Sequence, residues 1–305
     1  MPRPPYDALP ESIRAWADGL LGSPVVSFGS ESGGFSPGVA ARLRCCDGTR
    51  AFLKAVSSEA NPRTPDMHRT EAAVTARLPS SLGCPRLLGS YDDGTWVALL
   101  LEEVDGRSPT VPWQPDELAA ALRALDRLAE VPALPGLPTV LDVLGDELTG
   151  WRSLAADPPA DLAPWQLAHL DELVAYESAW PEAAAGEQLV HLDARGDNML
   201  IRADGEVVLV DWPWAAAGNP LFDTVGFVPS AMLDGATDPQ AVLLATAAGR
   251  AAEPEAVTSL LAAFTGLMEW ARRQPPPPGL DTVRAFQTAQ ARTSGQWLLE
   301  RTGWR

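Results

Sequence analysis

The 305-residue chain carries one lysine, Lys54, among twenty-three basic residues; the other twenty-two are arginine. Cysteine is also scarce: three residues, two of them adjacent at Cys45 and Cys46, exclude a disulfide framework. Only His68, His169 and His191 offer imidazole, and no Cys/His spacing matches a zinc site. Long apolar runs are missing too; residues 97–101 and 241–248 are far too short to span a bilayer. The proline-rich residues 1–11 lack the apolar stretch of a signal peptide. Excess positive charge is absent as well. A formal net charge of −17 speaks against nucleic acid or an anionic membrane as the main partner, since both are bound through Lys/Arg neutralisation. These shortages lead us to expect a soluble, cytoplasmic protein.

The single lysine carries information of its own. Asparagine is also scarce, at Asn61, Asn198 and Asn219, which is the pattern of a high-GC coding background that exchanges Lys for Arg where chemistry permits. A lysine that survives this marks either chance or a place where a compact ammonium fits and a planar guanidinium does not.

Along the chain, residues 1–103 read as mixed strand and helix. Helical spacing at 10–21 precedes a short apolar strand at 25–28 and a Gly/Ser-rich stretch at 29–38. Strands at 39–45 and 50–56 flank Asp47-Gly48, and strands at 87–91 and 95–101 flank Asp92-Asp93-Gly94, both hairpin signals. A helix is expected at 64–78. Beyond Gly106 the pattern turns to Ala/Leu-rich helices at 116–131, 139–154, 164–180, 239–249, 254–273 and 281–301. One strand pair, 199–202 and 207–210, interrupts them. This is an α+β order: a sheet-rich N-terminal lobe, residues 1–103, and a helical C-terminal lobe, residues 104–305.

Chemistry concentrates in residues 191–198, His-Leu-Asp-Ala-Arg-Gly-Asp-Asn. Asp193 is placed to orient or accept the proton of an attacking hydroxyl, and the amide oxygen of Asn198 suits Mg²⁺. Asp211 follows the apolar strand 207–210, where a carboxylate can meet metal ions and phosphates. Each aspartate alone reads more simply as a turn or cap residue. Three such groups, separated by a hairpin, argue for a catalytic arrangement.

At these residues the sequence resembles the aminoglycoside phosphotransferase and choline kinase family, small-molecule kinases with a protein-kinase-like bilobal fold. The matching stretches are 189–193 through 198–201, 208–212, and Gly218-Asn219-Pro220-Leu221-Phe222-Asp223. The resemblance implies ATP, or GTP, and Mg²⁺ as cofactors. It implies Asp193 as catalytic base, Asn198 and Asp211 as metal ligands, and Asp223 as a brace for the loop or a helix cap. Residues 51–56 look like the strand whose lysine, here Lys54, holds the α- and β-phosphates, with Glu71 as its ion-pair partner and Glu59 as the rival. The 29–38 stretch would cover the phosphates, with Ser32 and Ser36 in contact. Adenine would pair with backbone groups near Glu102 and Val104, over an apolar floor of Leu200 and Val210. No Gly-Lys-Ser/Thr occurs, which excludes a Walker-type site.

The departures are informative. The family usually has glycine after the loop histidine, where this chain has Leu192. Arg195 reads either as a stabiliser of transferring charge or as a surface residue. Only twelve positions separate Asp211 from Asp223, which leaves no space for a peptide-docking segment and argues for a small-molecule hydroxyl acceptor. Residues 105–190 hold fifteen Asp/Glu against four Arg, either an acidic wall for a cationic acceptor or a solvated helix face. Glu269, Trp270, Gln296 and Trp297 are candidate acceptor-lining residues. The expected function is phosphorylation of an antibiotic (aminoglycoside, nucleoside or macrolide). The alternatives are a metabolic kinase for an amino sugar or choline-like alcohol, and a nucleotide-binding pseudokinase. Retention of Lys54, Asp193, Asn198 and Asp211 argues against the last of these.

Overall fold

The computed structural model describes residues 3–31, 38–59 and 61–304. They divide into two compact units. One comprises Met1–Arg107, Val208–Trp214 and Pro276–Asp281; the other comprises Ser108–Val207, Ala215–Pro275 and Thr282–Arg305. The fold is the expected mixed α+β one, with an antiparallel N-terminal sheet and a helical C-terminal part.

The first unit is built on strands β1 (Val25–Ser30), β2 (Val39–Cys45), β3 (Arg50–Ser57), β4 (Leu87–Asp92) and β5 (Trp96–Glu102), all paired antiparallel in the order β1-β2-β3-β5-β4. The two hairpin turns place Gly48 and Gly94 at φ 91° and 89°, where a Cβ would be strained. Helices α1 (Glu11–Leu21) and α2 (Thr64–Thr75) complete the unit's core, and a two-residue strand, β6 (Gly106–Arg107), follows.

Strand alternation sorts the side chains. Ala51, Leu53 and Ala55 of β3 cluster with Ala98 and Leu100 of β5 and with Ile13 and Ala17 of α1. The complementary set, Val97, Leu99 and Leu101, clusters with Phe52 and with Ala72 of α2. Lys54 stands opposite Leu99 across the β3–β5 ladder and therefore shares the α2 face.

The second unit is helical: α3 (Pro115–Ala129), α4 (Val140–Leu144), α5 (Gly150–Ala156), α6 (Pro164–Ala168), α7 (Leu170–Ser178), α8 (Trp180–Ala184), α9 (Leu221–Leu233), α10 (Pro239–Ala245), α11 (Ala247–Ala251), α12 (Pro254–Ala271) and α13 (Val283–Thr302). Between α8 and α9 come β7 (Gln188–Val190), β8 (Met199–Arg202), β9 (Val207–Leu209) and β10 (Ala216–Gly218), with β7 and β10 antiparallel. Helix α12 is central, touching α5, α7, α8, α9 and α13.

Three helices expected as continuous are broken. Residues 139–154 split where Gly145, a poor helix former, ends α4, and α5 begins at Gly150, which is fixed by contact. A Cβ there would lie 2.0 Å from the Gly266 carbonyl oxygen of α12. Residues 164–180 break at His169 and again before Pro181, and 239–249 breaks where the Thr246 hydroxyl accepts the Gly249 N–H to start α11. Helix α9 falls where the residue spacing marks no helix, although the resemblance allows Asp223 as a helix cap. Ten of its thirteen residues are buried and Pro229 lies inside it, so it shows no amphipathic period. No helix among the described residues is long and apolar enough to cross a membrane.

Candidate active site

Two polar clusters hold the residues singled out above, one in each unit. In the first, Lys54 projects from β3 toward α2, where its Nζ donates to Glu71 Oε1 at 2.6 Å and to Asp211 Oδ1 at 3.0 Å. The β3 register puts Lys54 on that face, and Glu71 precedes Ala72, the α2 residue packed there. Glu59 is not the partner; it lies past β3, its backbone N–H donating to Ser57 Oγ. Burial by itself would pull the Lys54 ammonium down. The charges of Asp211 and Glu71 outweigh it and hold the pKa above its ordinary value, so the group stays protonated. Burial pushes Glu71 upward, opposed by Lys54. His68, one turn before Glu71, is driven down to about 4 by burial and by Lys54, and so stays neutral.

Asp211 follows β9 with φ 70°, a left-handed backbone that aspartate tolerates better than most residues. Its side chain is 43% exposed, against 4% for Glu71, so the third member of the cluster faces outward.

In the second unit the 191–198 loop is held from below by α9. Asp223, buried in the first turn of α9, accepts the His191 N–H at 2.7 Å and the Leu192 N–H at 2.8 Å, one on each carboxylate oxygen. Burial raises its pKa to about 6 against those two bonds. His191 is fully buried; its Nδ1 accepts the Asp193 N–H at 3.3 Å, a hydrogen bond internal to the loop. Leu192 is forced to φ 62°, which explains why glycine suits this position. A short turn, Gly196–Asn198, then swings Asn198 back so that its Nδ2 donates to both the carbonyl oxygen and Oδ2 of Asp193, at 2.9 and 2.8 Å.

Arg195 lies along the same carboxylate. Its Nε stands 2.9 Å from Asp193 Oδ1 and its Nη2 lies 3.3 Å from Asp197 Oδ2, while the guanidinium rests 4.9 Å above the Phe286 ring of α13. With its side chain only 12% exposed, Arg195 is not a surface residue. Phe286 carried no signal in the sequence, being nearly a hundred residues from the loop.

The other expected residues fall as follows. Leu200 and Val210 are half-buried. The Glu102 N–H donates to the Arg86 carbonyl at 2.9 Å, and the Val104 carbonyl accepts from Arg42 at 3.3 Å. Ser32 and Ser36 lie outside the described residues. The acceptor candidates do not gather at Asp193. Glu269 is buried and locked by Arg272, Arg273 and Gln166, and Trp297 is buried in the helical core. Glu269 and Gln296 instead line a separate polar pocket of about 340 Å³.

The family model of the phosphotransferase enzyme family matches residues 34–260, about three quarters of the chain. Among solved structures, the chain is similar to a thermostable mutant of aminoglycoside phosphotransferase APH(4)-Ia in a ternary complex with AMP-PNP and hygromycin B. They share 14% identity with a TM-score of 0.63, covering 96% of this chain and 99% of that one. It is similar to the choline kinase LicA from Streptococcus pneumoniae at 12% identity and TM-score 0.61, covering 95% and 97%. A third, an aminoglycoside phosphotransferase from Alicyclobacillus acidocaldarius, gives 17% identity and TM-score 0.55, with 92% of each chain covered. No curated protein matches the sequence. With the match spanning both the lysine strand and the Asp193 loop, the chain belongs to the phosphotransferase enzyme family and is a small-molecule kinase.

Proposed function

We propose that this kinase transfers the γ-phosphoryl group of ATP, with Mg²⁺, to a hydroxyl of an antibiotic-type small molecule in the cytoplasm. The observation that carries the reading is the sole lysine of the chain, held at 2.6 Å from Glu71 and 3.0 Å from Asp211. An ammonium fixed by one buried and one exposed carboxylate is preorganised to meet phosphate oxygens. Lysine serves there as a compact point charge, which is why arginine has not replaced it.

Asp193 is the proton acceptor in this reading. The acceptor's hydroxyl gives its proton to the Asp193 carboxylate as its oxygen bonds to the γ-phosphorus. The bond from that phosphorus to the β,γ-bridging oxygen breaks, and ADP leaves with the electron pair. Asn198 and Arg195 fix the plane of the carboxylate, a positioning role supported by their contacts to its oxygens. For Mg²⁺ the donors are hard oxygens, as the ion requires: the Asp211 carboxylate and the Asn198 amide oxygen, oriented because the amide N–H groups go to Asp193. When bound, the metal neutralises charge on the phosphates. Backbone groups of Glu102 and Val104, and the apolar side chains of Leu200 and Val210, are the proposed adenine contacts. Ser32 and Ser36 are proposed to touch the phosphates.

The test is coupled ADP release with MgATP over aminoglycosides, nucleoside antibiotics, macrolides, amino sugars and choline. Turnover on an antibiotic exceeding that on the metabolites supports the reading; turnover confined to choline or an amino sugar overturns it in favour of a metabolic kinase.

A further inference from the structure

The phosphotransferase reading leaves the acceptor's chemistry open, and the helical unit contains a cavity that bears on it. Asp193 and Arg195 contribute to the wall of a space of about 120 Å³. Most of the remaining wall is carbon, including Leu148, Phe222, Phe264, Met268 and Phe286. A dry apolar cavity of similar size, about 150 Å³, accommodates one benzene ring.

Three independent features say what this space takes. First, its charges are already committed. Asp223 uses both oxygens on backbone N–H groups of the loop, and Asp193 is paired with the Arg195 guanidinium, which lies over Phe286. The fifteen carboxylates of residues 105–190 are no help to a cation here. Twelve are exposed, half-buried Asp126 and the two buried ones, Glu117 and Glu177, are bonded to backbone N–H groups, and none lines the cavity.

Second, Leu192 reaches the wall from a backbone at φ 62°, where any side chain larger than glycine's hydrogen is strained. The leucine is unfavourable for the loop alone and makes sense as apolar lining. Third, Gln290 of α13, 1% exposed, lines the same space, and its Oε1 accepts no hydrogen bond from the described residues. A buried amide oxygen in that position calls for a donor on a ligand.

We infer that the acceptor is a neutral alcohol whose hydroxyl is carried on an apolar body of about one ring, with a second hydrogen-bond donor that meets Gln290 Oε1. Polycationic sugars and quaternary ammonium alcohols are disfavoured. The inference rests on the phosphotransferase reading for its hydroxyl, and on the cavity alone for its apolar body.

The probe is 4-hydroxybenzyl alcohol, compared with benzyl alcohol, choline and glucosamine, on the full chain with MgATP. Binding is followed by ligand-observed NMR, and transfer by ADP release. The expected result is binding of 4-hydroxybenzyl alcohol at least about tenfold tighter than of choline or glucosamine, with phosphoryl transfer to it. Gly226 lines the cavity from α9, and a Cβ added there meets nothing within 4 Å, so Gly226→Leu is the variant chosen to occupy the space. It should abolish binding of both ring alcohols, with the thermal midpoint reporting whether the fold is kept. Gln290→Leu should bring the two ring alcohols to parity.

Stronger binding of choline or glucosamine, absence of ring-alcohol binding to the parent protein, or ring-alcohol binding untouched by a folded Gly226→Leu overturns the inference. Transfer to cations with no ring-alcohol binding does so while leaving the phosphotransferase reading intact. Ring-alcohol binding without transfer to any acceptor upholds the cavity assignment and overturns the phosphotransferase reading.

Discussion

The two polar clusters are built in opposite ways. The Lys54 cluster is assembled by sheet register: alternation in β3 turns one side chain toward α2, and the buried Glu71 receives it at 2.6 Å. The Asp193 loop owes its shape to a helix remote in sequence, through two backbone bonds to Asp223 and a left-handed Leu192. The first cluster therefore depends on charge balance inside a regular element. The second depends on backbone strain held by a buried acid. Regular structure can place a group cheaply; an irregular loop needs a dedicated brace.

Substitutions can break this contrast at each point. The largest expected effect is at Lys54. Lys54→Met leaves Glu71 buried without its cation and should cost about 3–5 kcal/mol in urea unfolding, as well as phosphoryl transfer. The double variant Lys54→Met/Glu71→Gln should recover most of the stability and none of the activity. If stability did not recover, the register account of this cluster would be wrong.

Next is Asp223→Asn, which removes one of the two acceptors for the loop N–H groups and should cost about 1–3 kcal/mol. The substitution also has a pH signature. Burial holds the folded carboxyl at about 6, above its ordinary value, so the folded state binds this proton more tightly than the unfolded state. Its contribution to stability is full below about pH 4 and is lost as pH rises through about 6. Unfolding measured across that window should show a falling contribution in the parent chain and a flatter profile in Asp223→Asn.

The smallest effect is at Leu192. Leu192→Gly relieves about 1–2 kcal/mol of left-handed strain and gives up apolar contact of similar size, so stability should move by less than about 1 kcal/mol in either direction. A loss much larger than that would mean the leucine's contacts, not the loop's backbone, dominate.

How much of this was legible in the sequence follows the same contrast. The strands of the first unit were readable because alternation and Asp-Gly turns are local signals, and β2 was expected at its observed bounds. Lys54 and Glu71 could be matched because one lies on a strand and the other on the helix after it. Helix α9 was missed, being buried nearly all round with a proline inside, and with it went Gly226 and its place in the cavity wall. Arg195 was undecided because its partner Phe286 arrives from α13 through tertiary contact alone. The demand for glycine at the start of α5 was invisible for a related reason: Gly150 is required by the Gly266 carbonyl of α12, which no local pattern encodes.

The central claim is that Asp193 takes the acceptor's proton during transfer from ATP. Its most direct test is the initial rate of phosphorylated-acceptor formation, followed by mass spectrometry, for the parent chain and Asp193→Ala on the best acceptor. The account predicts a loss of about 10²–10⁴-fold in kcat, with KM for ATP little changed. Transfer by Asp193→Ala at the parent rate would contradict it.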